Sequence, residues 1–472
     1  MRATGWNSTC MGALALLVTA WAPTRASTQQ VDVAALQDEA VEWLREYIRI
    51  NTINPPGNEI RGARFFADIF DAEGIAYEIA ESAPGRGNIW ARLEGGAEPA
   101  LVLLHHMDVV PADERFWSRD PLSGDLRDGY VHGRGALDTK TSGILHLASF
   151  LALHRSGTPL NRDVIFMATA DEEAGGFFGA GWLAENRSEI FENVGFLLNE
   201  GGGGEDVEGN IQFGLEVTQK VPYWIRVTAT GEPGHGSRPL VSYASTKLVE
   251  ALDRLRRHSF EARIVPAVDE HLRGMAAGHP EPWRSRFANL GAVIDQPGLL
   301  LELQEYDPGL HALTRNTCAI TRFEGSPKIN VVSPEVWAEI DCRLLPDQDP
   351  EVWLAELGEV LGPDVEVEVL MGFSPAVSST DTELYRTVRD VTLEVFPDAN
   401  FVPQVLGGFT DSHFFRDLGI VSYGYEATAT PQADAAGVHG NDERVTEENV
   451  RRGVAMTLEI VQRFAATRRI ME

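Results

Sequence analysis

The chain is short of three things, and each shortage excludes something. Cysteine comes first, with 3 among 472 residues. Cys10 lies in an amino-terminal stretch that reads as removed, which leaves Cys318 and Cys342. Two cysteines are too few for a thiolate zinc cluster, so any metal must be held mainly by nitrogen and oxygen. They fall in consecutive strand-like segments. In an oxidising compartment they either pair or remain two small buried hydrophobes, and sequence alone does not choose. Positive charge is the second shortage: 40 Lys and Arg stand against 70 Asp and Glu, a net charge of −30 with a pI near 4.8. So negative a surface repels phosphate backbones and anionic lipid, which argues against nucleic-acid and peripheral-membrane roles.

Long hydrophobic runs are the third. The apolar run at residues 11–22 follows Arg2 and precedes Pro23-Thr24-Arg25-Ala26. It is too short to span a bilayer and ends in a small-residue cleavage site. This predicts a signal peptide over 1–26 and a mature chain from near Ser27, periplasmic or secreted and free of the membrane. Loss of Arg2 and Arg25 would take the charge from −30 to −32. No later segment approaches the roughly 18 uninterrupted apolar residues of a membrane span. Internal repeats, low-complexity tracts and loops with EF-hand spacing are also lacking, and the last of these argues against a calcium-binding structural protein.

What is present is the balance of a globular protein, 43% hydrophobic and 23% charged, long enough for two or three domains. Residues 33–49 carry apolar positions at helical spacing. Short continuous apolar runs at 100–104, 164–168 and 194–198 read as strands buried on both faces, with helices predicted at 142–154 and 179–191. That alternation predicts an α/β domain with a mixed sheet. From residue 221 the pattern changes. Strands at 221–230, 316–323, 336–345 and 365–370, with helices at 244–257 and 351–361, spell a smaller βαββαβ, α+β layer. Residues 262–312 interrupt it with a polar stretch containing Pro and Arg and no assigned period. After 374 the α/β pattern returns and closes in a helix capped by Thr446. The expected plan is a catalytic domain in two parts, 27–220 and 374–472, split by an inserted lid or dimerisation domain over 221–373.

In open α/β sheets ligands bind beyond the carboxyl ends of the strands. The three buried runs lead into His105-His106-Met107-Asp108, Asp171-Glu172-Glu173 and Asn199-Glu200-Gly201, and a turn before a helix holds Gly133-Arg134-Gly135-Ala136-Leu137-Asp138. A lone His after a strand is usually structural, and an acidic triplet is usually solvated. Several strand ends converging on oxygen and nitrogen ligands are not explained by solubility.

On these motifs the chain resembles the zinc-dependent exopeptidases of the aminoacylase, glutamate carboxypeptidase and carboxypeptidase S family. The stretch from Trp117 through Pro121, Asp128-Gly129 and Gly133 to Asp138 is particularly close, and the matching motifs run from His106 to His439. The resemblance implies two Zn²⁺ per subunit, with Co²⁺ or Mn²⁺ as substitutes. Asp138 would bridge them, His106 and Glu200 completing one site, Glu173 and His439 the other. Asp108 would hydrogen-bond the far nitrogen of His106, and Glu172 would be the general base. In the segment Gly231 to Pro239, His235 would reach the partner subunit's active site of a homodimer and help hold the oxyanion. Asn330 and Arg343 would contact the substrate. Two departures stand out: Thr139 follows the bridging acid where the family often has Asp, and His413 stands where an Arg often follows the Gly-Thr-Asp motif, which alters any grip on a substrate carboxylate.

The reading is a dizinc hydrolase of the amide bond in N-acyl amino acids or short peptides next to a free carboxylate, leaning towards the carboxypeptidase S and N-acyl amino-acid amidase branch. An aminopeptidase acting on di- or tripeptides is the alternative. A non-catalytic peptide-binding descendant is disfavoured, because the five ligands and Glu172 are all present.

Overall fold

The computed structural model describes residues 30–207 and 209–471, so the signal-peptide stretch 1–26 lies outside the described residues. The three apolar runs form adjacent parallel strands, Glu98–His106 between Arg162–Thr169 and Val194–Asn199. Leu103 faces Phe166 on one side and Leu198 on the other. Apolar side chains on both faces demand cover on both, and the sheet has it. Beyond Arg162–Thr169 lie Gly87–Leu93 and Tyr77–Glu81, both antiparallel. On the other side the order runs Val421–Gly424, Asn210–Gln219, Gly203–Val207 and Ala429–Pro431, with Asn400–Leu406 parallel to Asn210–Gln219. The result is a mixed ten-stranded sheet. Val421–Gly424, late in the chain, is inserted between two strands that come more than two hundred residues earlier.

Helix Lys140–Ser156 is buried along almost its whole length, which explains why its sequence is apolar all round. It packs on Glu98–His106 and against helices Val33–Arg49 and Glu447–Ala465. Both of those helices are capped, Asp32 accepting from Ala35 N at 3.1 Å and Thr446 from Asn449 N at 3.0 Å. The first and last described segments meet here: Val31 N donates to Ile470 O.

A second, four-stranded antiparallel sheet runs Thr317–Glu324, Glu335–Leu344, Val221–Thr230, Glu366–Gly372. Burial alternates along Glu335–Leu344, and helices Ala244–Arg257 and Pro350–Leu361 close a core of Ile225, Val227, Leu252, Ile340, Trp353 and Leu357. Cys318 and Cys342 face each other across this sheet and are joined by a disulfide, their Cα atoms 4.0 Å apart.

Two local differences from the sequence reading have physical causes. The helix predicted over 179–191 breaks at Arg187 into Ala180–Asn186 and a 3₁₀ turn, Ser188–Phe191. The unassigned stretch is helical: Pro266–Met275, Trp283–Phe287, Leu299–Tyr306 and Pro308–Ala312 bury Val268, Leu272, Phe287 and Leu303 in a core that reaches Val405 of the large sheet. Each helix is too short to show a period, and two begin on a proline.

Candidate active site

Five side chains from separate parts of the chain meet at one edge of the large sheet. His106 ends its strand, fully buried. Glu200 directly follows Val194–Asn199, and Glu172 and Glu173 form the 3₁₀ turn Glu172–Ala174 after Arg162–Thr169. Asp138 sits in the turn leading into helix Lys140–Ser156, and His439 lies in a loop with φ of 54°. That left-handed conformation costs a non-glycine residue about 1 kcal/mol or more, and the surrounding loop holds it.

The geometry divides the five into two triads sharing one acid. His106 Nε2 lies 3.1 Å from Asp138 Oδ1 and 3.3 Å from Glu200 Oε2. His439 Nε2 lies 3.0 Å from Asp138 Oδ2 and 3.2 Å from Glu173 Oε2. The two Asp138 oxygens thus face opposite ways, one to each triad. Within each triad the ligand atoms lie within 4.8 Å of one another. Glu172 Oε2 is 4.0 Å from His106 Nε2, close to the first triad without being part of it.

The electrostatics are those of a cluster short of positive charge. Burial and then the charge of Glu200 hold the Glu172 carboxyl well above its ordinary range; burial also raises Glu173 and Glu200. Hydrogen bonds to Asp138 and Glu173 push His439 up to about 10. For His106 burial acts downward, but the Glu200 charge and bonds to Asp108, Asp138 and Glu200 win and raise it. Glu173 Oε1 is buried without a partner. Nitrogen and carboxylate donors in two triads, with an orphaned buried oxygen and no Lys or Arg among them, fit a pair of divalent cations.

Asp108 faces the far nitrogen of His106 and does a further job. His106 Nδ1 meets the main-chain carbonyl of Asp108 at 2.9 Å, with the carboxylate 3.6 Å away. The carboxylate also accepts from Glu172 N and Glu173 N, each at 3.2 Å, and from Asn54 Nδ2 at 2.8 Å. It therefore holds the turn carrying both glutamates. The next acid, Asp171, also in the left-handed region with φ of 73°, pairs with Arg86 and accepts from Phe178 N at 3.0 Å.

A cavity of about 740 Å³ opens over the triads. Its wall includes Trp224, Leu406, Phe409 and Val438 on the apolar side, and Arg343, Glu205 and Glu426 on the charged side. Arg343 is braced by Asp341 at 2.7 and 3.1 Å and keeps Nη1 unpartnered. The other expected substrate contacts are elsewhere. His413 is a correction: it is buried outside the cavity lining, its ring 3.6 Å from that of Phe373, and neither nitrogen is bonded. Its ring packs against Phe373 and Phe414. His235 and Asn330 are exposed neighbours in a short ribbon, where Gly236 N donates to Asn330 O at 2.8 Å, and within one chain they do not line the cavity.

Three acids escaped the sequence reading. Glu443 accepts from Arg134 Nη1 at 2.7 Å and from the main-chain N–H groups of Gly135, Leu137 and Asp138 at 2.9, 2.6 and 3.0 Å, so it sets the position of the shared acid. Asp411 accepts from Thr169 Oγ1 at 3.1 Å and leaves Oδ1 buried and unpaired. Glu426 lines the cavity, its carboxyl raised well above the usual range by burial and by Glu200 and Asp138. Asp411 is the acid of the Gly-Thr-Asp motif and Glu443 follows His439 by four residues; nothing in the sequence around Glu426 marks it.

The chain is similar to known proteins over most of its length. The chain is 28% identical over 455 residues to the N-fatty-acyl-amino acid synthase/hydrolase PM20D1 of Xenopus tropicalis, covering 90% of this chain and 85% of that protein. It is 25% identical over 442 residues to human aminoacylase-1, covering 90% and 95%. Among solved structures, the M20 family metallo-carboxypeptidase Sso-CP2 of Sulfolobus solfataricus superposes with a TM-score of 0.70 at 20% identity, over 90% of this chain and 99% of that one. Human carnosine dipeptidase 1 does so with a TM-score of 0.63 at 18% identity, over 91% and 98%. These structural likenesses establish the fold. The family model for peptidase family M20/M25/M40 matches residues 102–463, the span holding both triads and Glu172, and the chain belongs to that family.

Proposed function

We propose that this enzyme hydrolyses the amide bond of N-acyl amino acids or short peptides, next to a free carboxylate, with a pair of zinc ions held by the two triads. The carrying observation is the division of Asp138 between two His–carboxylate sets, with Glu172 beside them. His106, Glu200 and Asp138 would hold one ion; His439, Glu173 and Asp138 the other. The ions, when bound, supply Lewis acidity and lower the pKa of water. Glu172 takes the proton of the attacking water and returns it to the leaving nitrogen, a task suited to a carboxyl whose affinity for protons burial has raised. Arg343, which lines the cavity and leaves one guanidinium nitrogen unpartnered, binds the substrate carboxylate.

The named activities of PM20D1 and aminoacylase-1 support the N-acyl amino-acid class. A second reading, cleavage of di- or tripeptides with a free amine, draws on Glu205 and Glu426, two carboxylates in the same wall. A homodimer is part of the proposal: His235 and Asn330 stand among exposed Leu240, Val241 and Ile329, an apolar patch suited to a second copy. So is export, to which the disulfide adds support.

The test is a screen of zinc-loaded protein against N-acetyl and N-lauroyl amino acids and against free and N-blocked dipeptides, each with and without the terminal carboxylate amidated. Turnover of the N-acyl amino acids, lost on amidation, is the expected result. Hydrolysis confined to substrates with a free α-amine would select the second reading, and no hydrolysis of any amide would overturn both.

A further inference from the structure

The large excess of acid makes any uncompensated cationic pocket conspicuous, and one lies away from the active site. A cavity of about 520 Å³ opens where three elements meet. The end of helix Ala244–Arg257 and the residues after it bring Arg256 and His258; the 262–312 segment brings Gln304 and His311; the edge of the second sheet brings Arg315, Asn316 and Thr317. No Asp or Glu lines it. Arg315 is its centre. Half-buried, with Nε fully enclosed and unpartnered, it forms no side-chain hydrogen bond or ion pair among the described residues. Behind it, Lys220 is buried and donates Nζ to the carbonyls of Ala312, at 2.7 Å, and of Arg315. Two of the other basic groups already have acids beside them: Asp253 holds Arg256 at 2.8 Å, and Glu356 stands 3.4 Å from His258 Nε2, both acids outside the lining.

A guanidinium withdrawn from water without a counter-charge is costly, and a structure that keeps one offers it to a ligand. We propose that this pocket binds a small oxyanion, a phosphate or a carboxylate, on Arg315, with Arg256, His258 and the amide of Gln304 around it. The planar fork of Arg315 takes two oxygens side by side. Because the walls come from the inserted helical segment, the Ala244–Arg257 helix and the sheet edge, the bound anion ties the three together. It therefore binds the folded chain and raises its unfolding temperature.

The experiment uses the full mature chain carrying Glu172→Gln and treated with chelator, so that neither turnover nor bound zinc answers for the effect. Calorimetric titration and thermal unfolding are run with inorganic phosphate, with acetate, and with glycinamide hydrochloride against a chloride control. A saturable heat and a midpoint rise of a few degrees at about 100 times Kd, with phosphate or acetate but not with glycinamide, is the expected result. The arm that responds more strongly identifies the source. Arg315→Gln, which stays polar but removes the guanidinium charge, should weaken binding at least about tenfold, and Arg389→Gln, which lines neither cavity, should leave it unchanged. Absence of binding by either anion, or unchanged binding in Arg315→Gln, overturns the proposal.

Discussion

Glu172 and His413 show what burial does to a single side chain with opposite consequences. Glu172 is buried beside other acids yet touches the cavity, so its raised proton affinity is available to chemistry. Glu172→Gln keeps the shape and removes the base. Turnover should fall by about 10² to 10⁴, while zinc content by elemental analysis stays as in the parent; a variant with full activity would remove Glu172 from the mechanism. His413 is sealed off, and burial, with the nearby Arg416 charge, depresses its pKa from 6.5 to about 3. Between those values the unfolded chain binds a proton that the folded chain refuses, so stability falls as pH drops through that window. His413→Phe should flatten the decline. Urea midpoints of parent and variant at pH 7, 5.5 and 4.5 should diverge increasingly towards acid; parallel curves would mean the ring is not the source.

At the scale of elements, the disulfide ties an edge strand to its neighbour across a sequence separation of 24. Closing a loop of that length in the unfolded chain is worth about 3 kcal/mol. Cys318→Ala should lower stability by that order in urea titrations, and because Cys318 is the less buried of the pair its loss leaves little cavity. Elements also separate what was legible in the sequence from what was not. Continuous apolar runs marked the buried parallel strands, because a strand covered on both faces has no polar side to show. The same logic exposed His106, Glu172, Glu173 and Glu200, which sit just beyond those strands. The helices of 262–312 were illegible because each has fewer than three turns and packs in a core that includes residues as distant as Val405. Asp108 was legible only in part, for a related reason. Spacing brings its backbone to His106, but only the fold brings the Glu172–Glu173 turn to its carboxylate. Nor can spacing show that His413 faces phenylalanines instead of substrate.

For the whole molecule, the site and the fold share their foundations. The triads draw on residues from 106 to 439, and Glu443 fastens Asp138 from beyond the last of them. Ions bound there would tie together segments more than three hundred residues apart and would be absent from the unfolded state, so removing them should cost stability as well as activity. An excess of chelator should lower the unfolding midpoint by several degrees, restored by added zinc; at about 100 times Kd the linkage is worth roughly 2.7 kcal/mol. An unchanged midpoint would mean the triads bind no structural ion.

The position of Val421–Gly424, slotted between strands made far earlier, has a consequence for biogenesis. As the chain emerges from the ribosome, Val194–Asn199 and Asn210–Gln219 cannot acquire their shared neighbour until some two hundred further residues have followed. His439 arrives later still. The nascent protein therefore carries an incomplete sheet, and one of its two triads open, long after the other four ligand residues have been made.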